Sequence, residues 1–250
     1  VGAGPSQALQ QQEGSGNFSF VYQDSQDGAS GTTFQQGDNN TAYVEQMVMG
    51  IGNNATVIQL GNTNYSAAEQ VSQIAGQIDT FQNGNDNYAY GDQRNGEGGT
   101  VRITQEGDFN GTEVWQETQV SSHATINQSG QANETVVDQS FGQENLATVL
   151  QVGDLNAIYA DQFESIGSTV ALYQEGTGNV HFTYQNGDSH VLNANSVGTG
   201  NKVYASNWKG PQAGGQFGSL QTATVNQNGT DNVANVGTTC AEFAGIAAGS

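Results

Sequence analysis

The side chains that dominate this sequence are amides. Gln occurs 30 times and Asn 26 times among 250 residues. Each amide offers donors and acceptors but no charge and no strong nucleophile. Its chemistry is therefore mutual hydrogen bonding. Such a composition can signal disorder or ordered β-aggregation, and spacing decides between them. A motif Q-x-G-x-x-N recurs, with a second Gln eleven residues after the first.

The first position is Gln12, Gln35, Gln59, Gln82, Gln105, Gln128, Gln151 and Gln174, then Ser196 and Gln227. The glycine is Gly14, Gly37, Gly61, Gly84, Gly107, Gly130, Gly153, Gly176, Gly198 and Gly229. The asparagine is Asn17, Asn40, Asn64, Asn87, Asn110, Asn133, Asn156, Asn179, Asn201 and Asn232. The second amide is Gln23, Gln46, Gln70, Gln93, Gln116, Gln139, Gln162 and Gln185, then Asn207 and Thr238. Steps of 22 to 24 residues separate the copies until the last, which is 31. Repetition in near-constant register marks a solenoid.

Other chemistry is sparse. Asp38, Asp86, Asp108, Asp154 and Asp231 gather near the motif turns. Asp38, Asp108 and Asp154 are weak calcium candidates, since carboxylates on neighbouring rungs can share a cation. The competing reading makes them Asx-turn formers and charges that slow lateral clumping. His181 falls on an inward position and reads as a satisfied core residue. Asp188, Ser189 and His190 are contiguous in the chain, which suits a polar loop better than a catalytic triad. The eight N-x-S/T matches follow from composition. A lone Cys240 excludes an internal disulfide framework and a Cys-based zinc site. No catalytic residue, resident metal or cofactor is expected.

These positions need elements that repeat with them. Alternation on both sides of each motif reads as strand, turn, strand, turn. Inward positions run Ala147, Val149, Gln151, then Asn156, Ile158, Ala160, Gln162. They are small or β-branched, as a thin two-sheet core requires. The fold class is all-β: a two-sheet parallel β-solenoid, amyloid-like, of about ten rungs of 23 residues. Stacked rungs would turn each Gln or Asn column into a hydrogen-bonded ladder, fixing a register that glycine-rich strands hold weakly. Gly and Asn of the motif are the residues expected to tolerate the turn's left-handed backbone.

The chain divides into a leader segment at 1–7, the solenoid at 8–238 and a tail at 239–250. An irregular insertion at 208–220 contains Pro211, which cannot donate within a central ladder. It reads as a passive insertion or a partner-binding loop. An outward column runs Phe20, Tyr43, Ala67, Tyr90, Glu113, Val136, Tyr159, Phe182, Tyr204, Asn235. It is a lateral contact stripe or cross-strand support.

Net charge is −20, with four Lys and Arg against 24 Asp and Glu. Nucleic acid is a poor partner for so few cations. No apolar run is long enough to span a membrane as a helix. The start at Val1 fits a chain whose signal peptide has been removed.

The repeat resembles the curlin repeat of bacterial curli fibres. That pattern also carries a small residue after the asparagine, as at Ala42, Ser66, Ala89, Thr112 and Thr135. Its Ser before the first strand stands at Ser122 and Ser168, and is replaced at Asn53, Gly76, Gly99 and Asn145. The resemblance covers roughly residues 8 to 238. It implies a secreted, extracellular functional amyloid on the cell surface, building biofilm matrix and serving adhesion. It also implies export through an outer-membrane secretion pore, nucleation by a minor subunit, and head-to-tail stacking of one copy on the next.

Two other functional classes fit the residues less well. A soluble binding module, for ice, carbohydrate or a surface, would want a continuous stripe. The best Thr column (Thr32, Thr56, Thr125, Thr148, Thr224) is broken by Asp79, Arg102 and Ala171. A β-helix enzyme needs acids and bases gathered on one face, which four basic residues make improbable.

Overall fold

The computed structural model describes residues 4–206 and 214–238. Its regular elements are all β-strands, arranged as two parallel sheets. The first sheet stacks ten strands in chain order. They are Gln7–Glu13, Ser30–Gln36, Asn54–Asn62, Gln77–Asn85, Thr100–Asp108, His123–Gln131, Leu146–Asp154, Thr169–Thr177, Val191–Thr199 and Thr222–Thr230. The second sheet takes the other half of every rung. Its main path runs Phe18–Gln23, Thr41–Met47, Tyr65–Val71, Tyr88–Arg94, Gly111–Val120, Glu134–Gln143, Ala157–Ile166, Val180–Asp188, Lys202–Ala205 and Val233–Asn235.

The register equals the sequence period. Gln105 pairs with Gln128, and Gln128 with Gln151. Because side chains alternate across a strand, a common register sends the same motif positions inward on every rung. His123–Gln131 buries Ala124, Ile126 and Gln128 and turns its other residues outward. The dry interior is a thin layer of residues such as Ala124, Ile126, Val137, Ala147, Val149 and Ile158. Burying one such Val or Ile contributes about 1.5–3 kcal/mol. The amide columns border this apolar layer, so their polar groups need partners within the stack.

The motif turn needs glycine for two reasons. Gly153 has φ +108, and a Cβ there would lie 2.2 Å from the carbonyl oxygen of Gly176 one rung on. The left-handed residue is not the motif asparagine, contrary to the sequence expectation. It is the residue before it: Asn39, Thr63, Asp86, Phe109, Ala132 and Leu155 have φ between 53° and 60°. The asparagine side chain holds the turn instead.

The inserted segment also differs from the sequence reading of 208–220. Gly215–Ser219 is a strand, paired with Gln185–Asp188 from Gln216 to Ser219. Lys202–Ala205 pairs with Val180–Thr183 just before it. The ninth rung's second strand is thus split into Lys202–Ala205 and Gly215–Ser219. Asn207, read as the ninth second-amide position, lies outside the described residues. Gln216 takes that place. The expected tail, with Cys240, also lies outside them.

Candidate functional site: amide ladders and open ends

Three amide columns run along the solenoid. In the first, Gln12 Nε2 donates to Gln35 Oε1 at 2.7 Å, and Gln35, Gln59, Gln82, Gln105, Gln128 and Gln151 each donate onward at 2.8–2.9 Å. At the ninth rung Ser196 Oγ donates instead to Gln227 Oε1, at 2.8 Å. In the second, Gln23 begins an unbroken relay through Gln46, Gln70, Gln93, Gln116, Gln139, Gln162 and Gln185 to Gln216.

The asparagine column ties three rungs at once. Asn133 donates through its backbone N–H and Nδ2 to Asn110 Oδ1, at 3.1 and 3.0 Å. The same Nδ2 reaches the Gly153 carbonyl of the following rung at 2.6 Å. This arrangement recurs from Asn40 to Asn201, so each asparagine closes the left-handed turn beside it. Asn17 also donates to the Gly37 carbonyl, and Asn232 donates back to Asn201 Oδ1.

A fourth set of contacts lies in the opposite arc and escaped the sequence reading. Inward residues there alternate: Gln26, Gly50, Gln73, Gly96, Gln119, Gly142, Ser165, Gly187. A Cβ on Gly50 would meet Gln26 Oε1 at 2.2 Å, and one on Gly96 would meet Gln73 Oε1 at 2.8 Å. A large amide on one rung thus occupies the space left by glycine on the next. Gln73 Oε1 accepts from Gly96 N–H at 2.9 Å, and Gln119 Oε1 from Ser122 Oγ at 2.7 Å. The true period of this arc is two rungs. The sequence signal was the recurrence of Gln-to-Gly at twice the motif step. Asn53, Ser122, Asn145 and Ser168 continue the arc, Asn145 N–H bonding to Ser122 Oγ and Ser168 N–H to Asn145 Oδ1.

The turn acids do not converge. Asp38, Asp108 and Asp154 share one column, but they stand on the second, fifth and seventh rungs. At about 4.8 Å per rung they are about 14 and 10 Å apart. Each accepts a backbone N–H from the rung before: Ser15, Asn85 and Gln131, at 2.8, 2.8 and 3.0 Å. Asp86 and Asp231 belong to the adjacent left-handed column. Among the described residues, no three His, Cys, Asp or Glu side chains gather as a metal site.

His181 is fully buried between Ile158 and Val203. Its Nε2 lies 2.8 Å from Ser196 Oγ, and burial lowers its pKa to about 3. It is a neutral core residue. His190 is also buried, its Nε2 donating to the Asn186 carbonyl at 3.1 Å. Ser189, left-handed with φ 56°, occupies the turn beside it.

On the outer face, rings stack on rings. Tyr159 and Phe182 have centroids 4.9 Å apart and planes 16° apart, and Phe182 and Tyr204 are 5.9 Å and 3°. Their faces are turned to each other along the axis. Next to them, Asp138 and Asp161 occupy adjacent rungs of one outward column. Burial, and then the Asp138 carboxylate beside it, pushes the Asp161 pKa up to about 7.

The two ends of the stack are open among the described residues. Gln7–Glu13 is exposed along its whole length and has a neighbour on one side only. Thr222–Thr230 and Val233–Asn235 form the other end.

No curated protein matches the chain. Two segments, residues 27–61 and 77–107, match the family model of the curlin associated repeat. The first begins at the bridge residue Asp27 and the second at the start of the strand Gln77–Asn85; each takes in two strands that carry the first Gln and ends at a turn glycine, Gly61 or Gly107. Both matched segments fold as rungs of the parallel β-solenoid, so what they share with the curlin associated repeat is the rung itself.

Proposed function

We propose that this protein is a secreted structural subunit that stacks end to end, head to tail, into an extracellular amyloid-like fibre of curli type. The curlin repeat is a structural unit, not an enzymatic one, and the family points to self-assembly outside the cell. The observation that carries the reading is the pair of edges left open among the described residues. Solenoids that remain single cover their ends with polar caps, whereas an open edge strand is a template for another chain. Here the exposed strand Gln7–Glu13 presents unpaired backbone groups and the free side of an amide ladder. Biofilm matrix and adhesion are the roles such a fibre would serve, with a secretion pore and a nucleator as expected partners. No described helix is long and apolar enough to cross a membrane.

Electron microscopy and fibre diffraction of the purified protein test the proposal. Unbranched fibres with a meridional reflection near ~4.8 Å and a subunit rise near ~48 Å for ten rungs are expected. Discrete monomers at every concentration and pH would overturn it.

A further inference from the structure

The outer face of the second sheet carries acids that no described cation answers. Asp138 and Asp161 occupy one outward column on the sixth and seventh rungs, and Tyr184 follows them on the eighth. Asp138 accepts a hydrogen bond from Ser140 Oγ. Asp161 Oδ1 is buried and accepts none. Among the described residues, the ion pairs are those of Arg94 with Glu69 and Asp92 and of Arg102 with Asp79, and none reaches this column. A carboxylate taken from water without a partner is costly, and Asp161 accordingly holds its proton up to about pH 7.

The column borders a cavity. Pairing of the eighth rung with the ninth runs to Thr183 with Ala205 and resumes at Gln185 with Gln216, so it skips Tyr184 where the ninth rung's strand is split. There a cavity of about 350 Å³ opens, lined by Asp138, Asp161 and the rings of Tyr159, Phe182, Tyr184 and Phe217. The rings brace one another: Tyr159 stacks on Phe182, and the Tyr184 and Phe217 centroids are 5.4 Å apart. A concave, largely aromatic wall with a few polar groups is the form of a small-molecule site. The polar groups select the ligand. Two carboxylates are too few for calcium, which takes six to eight oxygens, and an anion would meet like charge. A neutral ligand would leave the carboxylate charge unanswered. An ammonium answers it, because its N–H donates to Oδ1 in a charge-assisted bond. The rings offer apolar surface for the body that carries the ammonium.

We propose that this cavity binds a primary ammonium cation whose apolar body is about the size of an aromatic ring, with its N–H donating to Asp161 Oδ1 and its body lying against Phe182 and Phe217. Asp138, one rung away, adds a second negative charge. The site lies on the lateral face, away from the first and last rungs. It therefore requires no stacking of subunits and does not rest on the fibre reading.

Isothermal titration calorimetry of the full chain with three probes tests the site, at pH 8, above the raised Asp161 value, and about 0.15 M salt. Phenethylammonium carries both charge and ring, ethylammonium the charge without the ring, and 2-phenylethanol the ring without the charge. Phenethylammonium should saturate one site per chain, and each of the other two should bind on the order of tenfold more weakly. Asp161→Asn keeps the shape but removes the charge, and should weaken phenethylammonium binding on the order of tenfold. Glu106→Gln removes one charge from an exposed position of the first sheet and should bind as the wild type does. Circular dichroism checks that both variants fold. The proposal is overturned if phenethylammonium shows no saturable binding, if either other probe binds as tightly, or if Asp161→Asn binds like the wild type. Equal weakening by Glu106→Gln would assign the binding to the net charge of −20 rather than to the cavity, and would overturn it too.

Discussion

At the scale of single residues, Gln128 shows what an amide does in this interior. Its Nε2 donates to Gln151 Oε1 and the Gly111 carbonyl, while its Oε1 accepts from Gln105 Nε2 and Thr112 Oγ1. Gln128→Leu preserves volume but strands partners on three sides, each worth about 1–3 kcal/mol when unmet. A loss of about 4 kcal/mol is expected in urea unfolding. Thr125→Val, outward on the same strand, should change stability by less than about 0.5 kcal/mol. Equal midpoints for the two variants would show that the Gln128 bonds contribute nothing net. The motif columns can be read from sequence because an amide finds an identical partner only when the same residue recurs at the same rung position. The asparagine's part was not legible. Its identity suggests a left-handed residue, but Leu155 and Phe109 carry that conformation while the asparagine bonds to three rungs. Spacing alone does not separate a residue that adopts a turn from one that holds it.

At the scale of the element, the outward columns of the second sheet matter most. Parallel in-register strands stack like on like, and this places Asp138 directly beside Asp161. Asp161 Oδ1 is buried without a hydrogen-bond partner, and its pKa is pushed up to about 7 by burial and by Asp138. The sign follows from linkage. An Asp raised from the ordinary value near 3.9 binds its proton more tightly when folded. Stability is then greatest below that ordinary value and falls as pH rises toward about 7. Asp161→Asn should flatten this slope, so its gain over wild type should be larger at pH 8 than at pH 5. Denaturant midpoints at the two pH values give the answer, and parallel wild-type and variant slopes would contradict it. The two-sheet architecture was readable from period and alternation, since both are one-dimensional. The split strand of the ninth rung was not. The 31-residue step announced an insertion, but only pairing shows that Gln216, after the insertion, occupies the ladder site. The two-rung alternation of Gln26, Gly50, Gln73 and Gly96 was hidden likewise, because each residue is chosen by its neighbour's side chain.

At the scale of the whole molecule, net charge and the terminal rung govern association. Every copy carries −20, and stacking copies brings these charges together. Screening falls from a Debye length of about 30 Å at 0.01 M salt to about 8 Å at 0.15 M. Elongation should therefore accelerate across that range, whereas a joint held by complementary charges would slow. In head-to-tail stacking, the second glutamine column meets a gap. The second glutamine column reaches Gln216, and the next position in register is Thr238. The sequence has no amide at that position to meet Gln23 of an incoming copy. Thr238→Gln supplies that step, extending the second column across the joint. One added buried hydrogen bond contributes about 0.5–1.5 kcal/mol, so dissociation from fibre ends should slow by about two- to tenfold. Depolymerisation of diluted, pre-sheared fibres measures this directly. Unchanged dissociation would mean that the second sheet does not continue from one subunit into the next, and that the first sheet and the asparagine column alone join them.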